Sequence, residues 1–134
     1  MRSRPTRAGI LATGVALGGA CDDELGQRQA ANLDQVIHVV EQLRQAPNDA
    51  KRPWLDELAR TPCDSPKACE LQRLCMQAYT LHQSGLDQRD AAARQLEQAP
   101  NEARKNLAAA TRDLGRARKL TVRCAEARAR LTHR

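Results

Sequence analysis

Apolar residues recur at helical spacing along most of the chain. Leu33, Val36, Ile37, Val40 and Leu43 share one face, which predicts a helix from Glu24 to Gln45. Trp54, Leu55 and Leu58 predict a short helix that starts near Pro53. Asp64 or Ser65 is placed to cap a third helix from Pro66 to His82, with Leu71, Leu74, Cys75 and Ala78 as its stripe. Ser84-Gly85 reads as a turn, followed by a helix from Leu86 to Ala99. The last helix runs from Asn101 toward Leu131. Its stripe of Leu107, Ala110, Leu114, Ala117, Thr121, Cys124 and Leu131 follows a seven-residue repeat. The small residues in that seam suit close packing against a neighbouring helix.

Residues 33–52 and 86–105 form an internal repeat. The strings LDQVIHVVEQLRQAPNDAKR and LDQRDAAARQLEQAPNEARK agree at ten of twenty positions, at a fixed offset of 53. The shared Gln-Ala-Pro-Asn string makes Pro47 and Pro100 equivalent, so both are expected to end or kink a helix or to begin the next one. Two copies point to a pseudo-symmetric bundle more than to a solenoid. Gly115 falls opposite Pro62 and marks a weaker break.

Composition strengthens the all-α reading. Phe is absent, and Trp54 and Tyr79 are the only aromatic residues in 134. Alanine supplies 23 of the apolar positions. A β-sandwich or barrel needs β-branched and aromatic side chains to cover a pleated face, so those folds are excluded. A roomy aromatic-lined pocket is excluded as well. From Cys21 onward Leu, Ile and Val total 19 of 114 residues, a thin supply for a core.

The first twenty residues have the layout of a signal peptide. Arg2, Arg4 and Arg7 precede any acid, and Ala8 to Leu17 is an uncharged stretch of ten. That stretch is too short to span a bilayer. The tail Leu17-Gly18-Gly19-Ala20-Cys21 resembles the lipobox of bacterial lipoprotein precursors, with Gly18 where that family usually carries an aliphatic residue. The resemblance implies that Cys21 becomes the lipidated N-terminal residue of a mature domain of residues 21–134. It also implies a membrane anchor in the bacterial cell envelope, facing the periplasm or the cell surface. Gly18-Gly19-Ala20 equally fits ordinary secretion, without lipid.

With Cys21 assigned to lipid, four cysteines remain: Cys63, Cys69, Cys75 and Cys124. Four is an even number for disulfides in an exported chain. Cys69 and Cys75 are six apart on one helix, hence about 240° apart around its axis and about 9 Å along it, too far for a bridge. Two connectivities remain. Cys63–Cys69 with Cys75–Cys124 is favoured by the apolar stripes, and Cys63–Cys75 with Cys69–Cys124 by the repeat offset. If the last helix is straight, Cys124 lies past the end of the third helix, and a bond to it needs a bend near Gly115. The C-x5-C-x5-C spacing is poor for zinc, and no metal or cofactor site is expected.

Charge is uneven. Residues 21–85 carry seven Lys/Arg against ten Asp/Glu, and residues 86–134 carry twelve against six, so the net moves from −3 to +6. Arg112, Arg116, Arg118, Lys119, Arg123, Arg128 and Arg130 form either a solvated face or a contact for anionic lipid headgroups or an acidic protein. Nucleic acid is not expected as a partner, because the chain has no aromatic or Gly-rich reader. His82, Tyr79 and Cys75 on one helix suggest a thiol site, against the plainer reading of a disulfide beside two interfacial side chains. No nucleophile elbow, phosphate loop or zinc-protease motif is present, so an enzyme is not expected. The expectation is a disulfide-stapled helical bundle acting as a non-enzymatic binding or structural lipoprotein that presents a basic C-terminal helix. The alternatives are a soluble secreted or periplasmic helical protein without an anchor, and a basic nucleic-acid-binding protein.

Overall fold

A computed structural model describes residues 20–133. Residues 1–19, which hold most of the signal-like segment and the Leu17-Gly18-Gly19 part of the lipobox-like tail, lie outside the described residues, as does Arg134. The described chain is all-α: helices α1 (Ala20–Gln45), α2 (Lys51–Arg60), α3 (Pro66–Gln95) and α4 (Pro100–Thr132), with a single 3-10 turn at Asn48–Ala50. It is a small bundle held by two disulfides, Cys63–Cys69 and Cys75–Cys124.

The third and fourth expected helices are one. No turn forms at Ser84-Gly85. Helix α3 runs unbroken through both residues, and Gly85 is buried in its middle with a helical φ. A glycine inside a helix costs about 1 kcal/mol relative to alanine, which close packing outweighs here. A β-carbon on Gly85 would lie 2.8 Å from Leu114 Cγ, so the glycine serves the approach of α4, not a turn.

Helices α3 and α4 form a long antiparallel hairpin joined by residues 96–99. Its seam is made of small residues at seven-residue spacing: Ala78, Gly85 and Ala92 on α3, and Ala103, Ala110, Ala117 and Cys124 on α4. Seven residues is the period that keeps a narrow stripe facing its partner. Leu107, expected in this seam, is 47% exposed, because Ala103 and Ala110 occupy the inner face. The continuity of α3 also removes the need for a bend at Gly115. With α3 uninterrupted, Cys75 and Cys124 meet across two helices, their Cα atoms 5.0 Å apart.

The larger apolar residues gather where α1 and α2 cover the N-terminal half of α3. Val36, Val40, Leu43, Leu58, Leu71 and Cys75 are almost wholly buried there. Buried polar side chains fasten the connections. Asn32 donates from Nδ2 to the Pro62 carbonyl (2.7 Å) and accepts the Asp64 N–H on Oδ1 (2.8 Å), holding the loop before α3 against α1. Gln72 donates to the carbonyls of Leu58 and Thr61 at the end of α2, each at 2.6 Å. Ser65 caps α3 by accepting the Ala68 N–H, with Pro66 in the first turn where its missing N–H costs nothing.

Both copies of the repeat carry a helix end, a proline and a new helical start. Helix α1 stops at Gln45 before Pro47, and α3 stops at Gln95, four residues short of the expected Ala99, with Pro100 opening α4. Downstream the copies diverge into a helix of 10 residues and one of 33. Leu43 is fully buried, while its counterpart Leu96 is 54% exposed at the hairpin tip.

Candidate functional site

Cys21 lies in the first turn of α1 and is exposed, and among the described residues it is the free cysteine. Residues 21–28 of α1 are exposed all round, and contacts to the rest of the chain begin at Gln29, which bonds the Asp64 carbonyl (3.3 Å), and at Asn32. The first two turns of α1 therefore stand out from the bundle by about 12 Å at 1.5 Å per residue. Helix α1 runs alongside α3 in the same direction, with Asn32 near Pro62 and Asn48 near His82. The C-terminal end of α4 is at the Cys21 end of the bundle, where Leu131 and Arg130 border Lys67 and Leu71. The α3–α4 turn is at the opposite end.

The four other cysteines are used as the first of the two connectivities has it. Cys63–Cys69 ties the loop to the first turn of α3. Cys75–Cys124 is buried between α3 and α4, so Cys75 is not a free thiol beside His82 and Tyr79.

Of the seven basic residues from Arg112 to Arg130 on α4, five share one exposed face at helical spacing: Arg112, Arg116, Lys119, Arg123 and Arg130. Arg118 and Arg128 lie off it. Arg112, Arg116, Arg118, Lys119, Arg123 and Arg130 are exposed. Arg128 is half-buried and turns inward to Glu41 on α1, Nη1 to Oε2 at 2.9 Å. Arg44 also donates to Glu41, with a short contact of 2.7 Å. The hydrogen bond from Arg44, helped by Gln45 and the charge of Arg128, outweighs burial and holds the Glu41 carboxyl at about 2. This cluster ties α1 to α4 and is structural.

A second cluster lies at the C-terminal end of α1. Lys51 is buried, and its ammonium donates to the carbonyls of Leu43 (2.7 Å), Arg44 (3.2 Å) and Ala46 (2.6 Å). These carbonyls end α1 and have no helical partner, so a cation there satisfies them and meets the negative end of the helix dipole. The ammonium also sits 5.1 Å from the centre of the Tyr79 ring. Beside it opens a cleft of about 450 Å³, bounded by Asn48 and Lys51 on one side and by α3 and α4 on the other. His82, Leu86 and Arg89 of α3 and Leu114, Arg118 and Thr121 of α4 complete it. His82 Nε2 donates to Asn48 Oδ1 at 3.1 Å. Burial first, then the charges of Lys51 and Arg89, push the His82 imidazole below its ordinary range. Arg89 donates from Nε (3.3 Å) and Nη2 (3.2 Å) to Asp90 Oδ1.

Sequence reasoning found the paired cysteines but missed this cleft. Lys51 lies six residues past the end of α1, and a lysine just beyond a helix end is the one available signal. Its repeat counterpart Arg104 is exposed, so the repeat itself does not mark the site.

Among the described residues no helix is long and apolar enough to cross a membrane, and no three His, Cys, Asp or Glu side chains converge as a metal site would need. The chain matches no known protein family, and neither curated proteins nor solved structures show a significant similarity to it.

Proposed function

We propose that this protein is a non-enzymatic lipoprotein of the bacterial envelope, anchored through Cys21, whose helical bundle carries a binding surface away from the membrane. The observation that carries the reading is the division of the cysteines. Four pair within the bundle, and the fifth stands unpaired and exposed on the first turn of α1, at the end of the lipobox-like tail. An acylated Cys21 needs no room inside the fold, and the bare first two turns of α1 give it a short stalk. The lipoproteins whose precursors this tail resembles carry three acyl chains on that cysteine, which hold far more firmly than the marginal grip of one.

An anchor at that end sets the orientation. The basic C-terminal turns of α4 then face the headgroups, where Lys67 and Arg130 meet anionic lipid. The α3–α4 hairpin, 30 residues long on its α3 side, reaches outward by about 45 Å from Pro66. The part of the basic helix presented to a protein partner is then its N-terminal half, with Leu96 and Leu107 exposed beside Arg104.

The test is Cys21→Ser in the expressing cell. The variant is expected to lose acyl labelling and to leave the membrane fraction. A variant that fractionates and labels like the parent protein refutes the anchor.

A further inference from the structure

We propose that the cleft between the α1–α2 turn and the α3–α4 hairpin binds a phosphate monoester carried on a small apolar body. The inference rests on the cleft alone and is independent of the lipid anchor.

The lining holds three basic side chains, Lys51, Arg89 and Arg118, and no carboxylate. Burial, then the charge of Arg44, lowers the Lys51 ammonium from its ordinary range. Asp49, Asp87 and Asp90 line an adjoining groove that shares Asn48, Leu86 and Arg89 with the cleft, and of these Asp90 engages one of the three basic groups. Glu41, near Tyr79, is held by Arg44 and Arg128. The remaining excess positive charge matches a dianion better than a monoanion, and a phosphate monoester carries about −1.5 to −2 near neutral pH. Arg118 offers the planar fork of its guanidinium. Arg89 on the facing helix, whose Nε and Nη2 bond Asp90, offers its Nη1 side. Both are charge-assisted donors of the kind that bind phosphate. Lys51 plays a different part. Its three protons are taken by α1 carbonyls, so it contributes a fixed charge at the wall of the cleft and no direct bond. Leu86, Leu114 and the Tyr79 ring give the apolar body a surface to cover.

The arrangement belongs to the tertiary structure. Four separate stretches of chain meet at the cleft: the Asn48–Lys51 turn, the middle of α3 at Tyr79–Arg89, and two turns of α4 at Leu114 and Arg118–Thr121. The Cys75–Cys124 bridge and the close approach at Gly85 lock the two walls supplied by α3 and α4. A rigid, preformed cleft spares a ligand the cost of ordering it.

His82 reports on occupancy. It faces Lys51 across the cleft and Arg89 from its own helix; burial first, then these two charges, lower its titration point. A bound dianion offsets those charges and raises its titration point. The experiment is proton NMR of the full mature chain titrated with hexyl phosphate, inorganic phosphate and hexanoate, with His38 and His133 as internal controls. Hexyl phosphate is expected to shift the His82 ring signals saturably and to move its titration upward. Inorganic phosphate and hexanoate are expected to bind at least tenfold more weakly. Arg89→Gln with Arg118→Gln, both exposed and outside the core, is expected to weaken hexyl phosphate at least tenfold with an unchanged circular dichroism spectrum. Arg112→Gln with Lys119→Gln, off the cleft, is expected to have no effect. Parallel, unsaturable shifts of all three histidines would overturn the proposal, as would equal weakening by the two double variants. Equal binding of hexanoate would overturn the assignment to phosphate.

Discussion

Gly85→Ala tests the packing that decides this fold. In an isolated helix the change stabilises by about 1 kcal/mol, because alanine loses less backbone freedom than glycine. At Gly85 the new β-carbon meets Leu114 Cγ at 2.8 Å and Cδ2 at 2.9 Å, and the Leu114 backbone nitrogen at 3.4 Å. Carbon atoms prefer about 3.5–4.0 Å, so α4 or the Leu114 side chain must give by nearly 1 Å. Overpacking of that size costs about 1–3 kcal/mol. The net expectation is a loss of up to about 2 kcal/mol, where propensity alone gives a gain. Gly115→Ala is the internal reference. A β-carbon there meets nothing within 4 Å, so the full propensity gain of about 0.5–1 kcal/mol is expected. The two variants should therefore differ by about 1–3 kcal/mol although the chemical change is identical. Leu114→Ala completes a cycle, since removing the clashing atoms should make Gly85→Ala favourable again. Urea denaturation of the oxidised protein, with circular dichroism at 222 nm (a standard helix signal), reads all four states. If Gly85→Ala stabilises as much as Gly115→Ala, the close approach of α3 and α4 does not exist. A Ser84-Gly85 turn would then be back in contention.

Two further perturbations separate the roles of buried groups. Lys51→Met keeps the straight stem but strips the α1 carbonyls of their cation, and should cost about 2–3 kcal/mol in urea denaturation. Arg104→Met, at the repeat-equivalent but exposed position, should stay within about 0.5 kcal/mol, and equal costs would remove Lys51 from its capping role. The disulfides should differ in weight. Replacing Cys75 and Cys124 by serine opens a loop of about 50 residues, worth about 4 kcal/mol on the chain-entropy estimate, whereas Cys63 and Cys69 close only a short loop worth about 2 kcal/mol. Thermal melts that rank the two pairs the other way would contradict Cys75–Cys124 as the principal staple.

The all-α class was legible in the sequence because it depends on local properties. Alanine, leucine, glutamine and arginine favour helix wherever they fall, and the lack of Phe and the scarcity of β-branched residues leave no sheet to build. The ends at Pro47, Pro66 and Pro100 were readable for the same reason, since proline acts on its own backbone and that of its neighbours. Half of the disulfide problem was also local: helix geometry forbids Cys69–Cys75 on its own. The choice between the two remaining connectivities needed the register of α3 against α4, which no single helix contains.

Gly85 shows why the rest was hidden. Ser-Gly is a turn signal on local grounds, but a glycine also suits a place where two helices touch, and only the partner helix distinguishes the two uses. The Ala78–Gly85–Ala92 stripe does so, because it lets α4 approach closely along the whole hairpin. Leu43 and Leu96 make the same point: equivalent in the repeat, they differ because Leu43 sits in the core cluster and Leu96 lies half-exposed at the hairpin tip. The cationic cleft is a tertiary property in the fullest sense. Lys51, His82, Arg89 and Arg118 span 67 residues of sequence without a shared motif. They converge because α1 ends beside the middle of α3 and α4 folds back along it. Local propensity fixes helices one at a time, while the meeting of side chains on different helices is settled by which small residues allow which backbones to close.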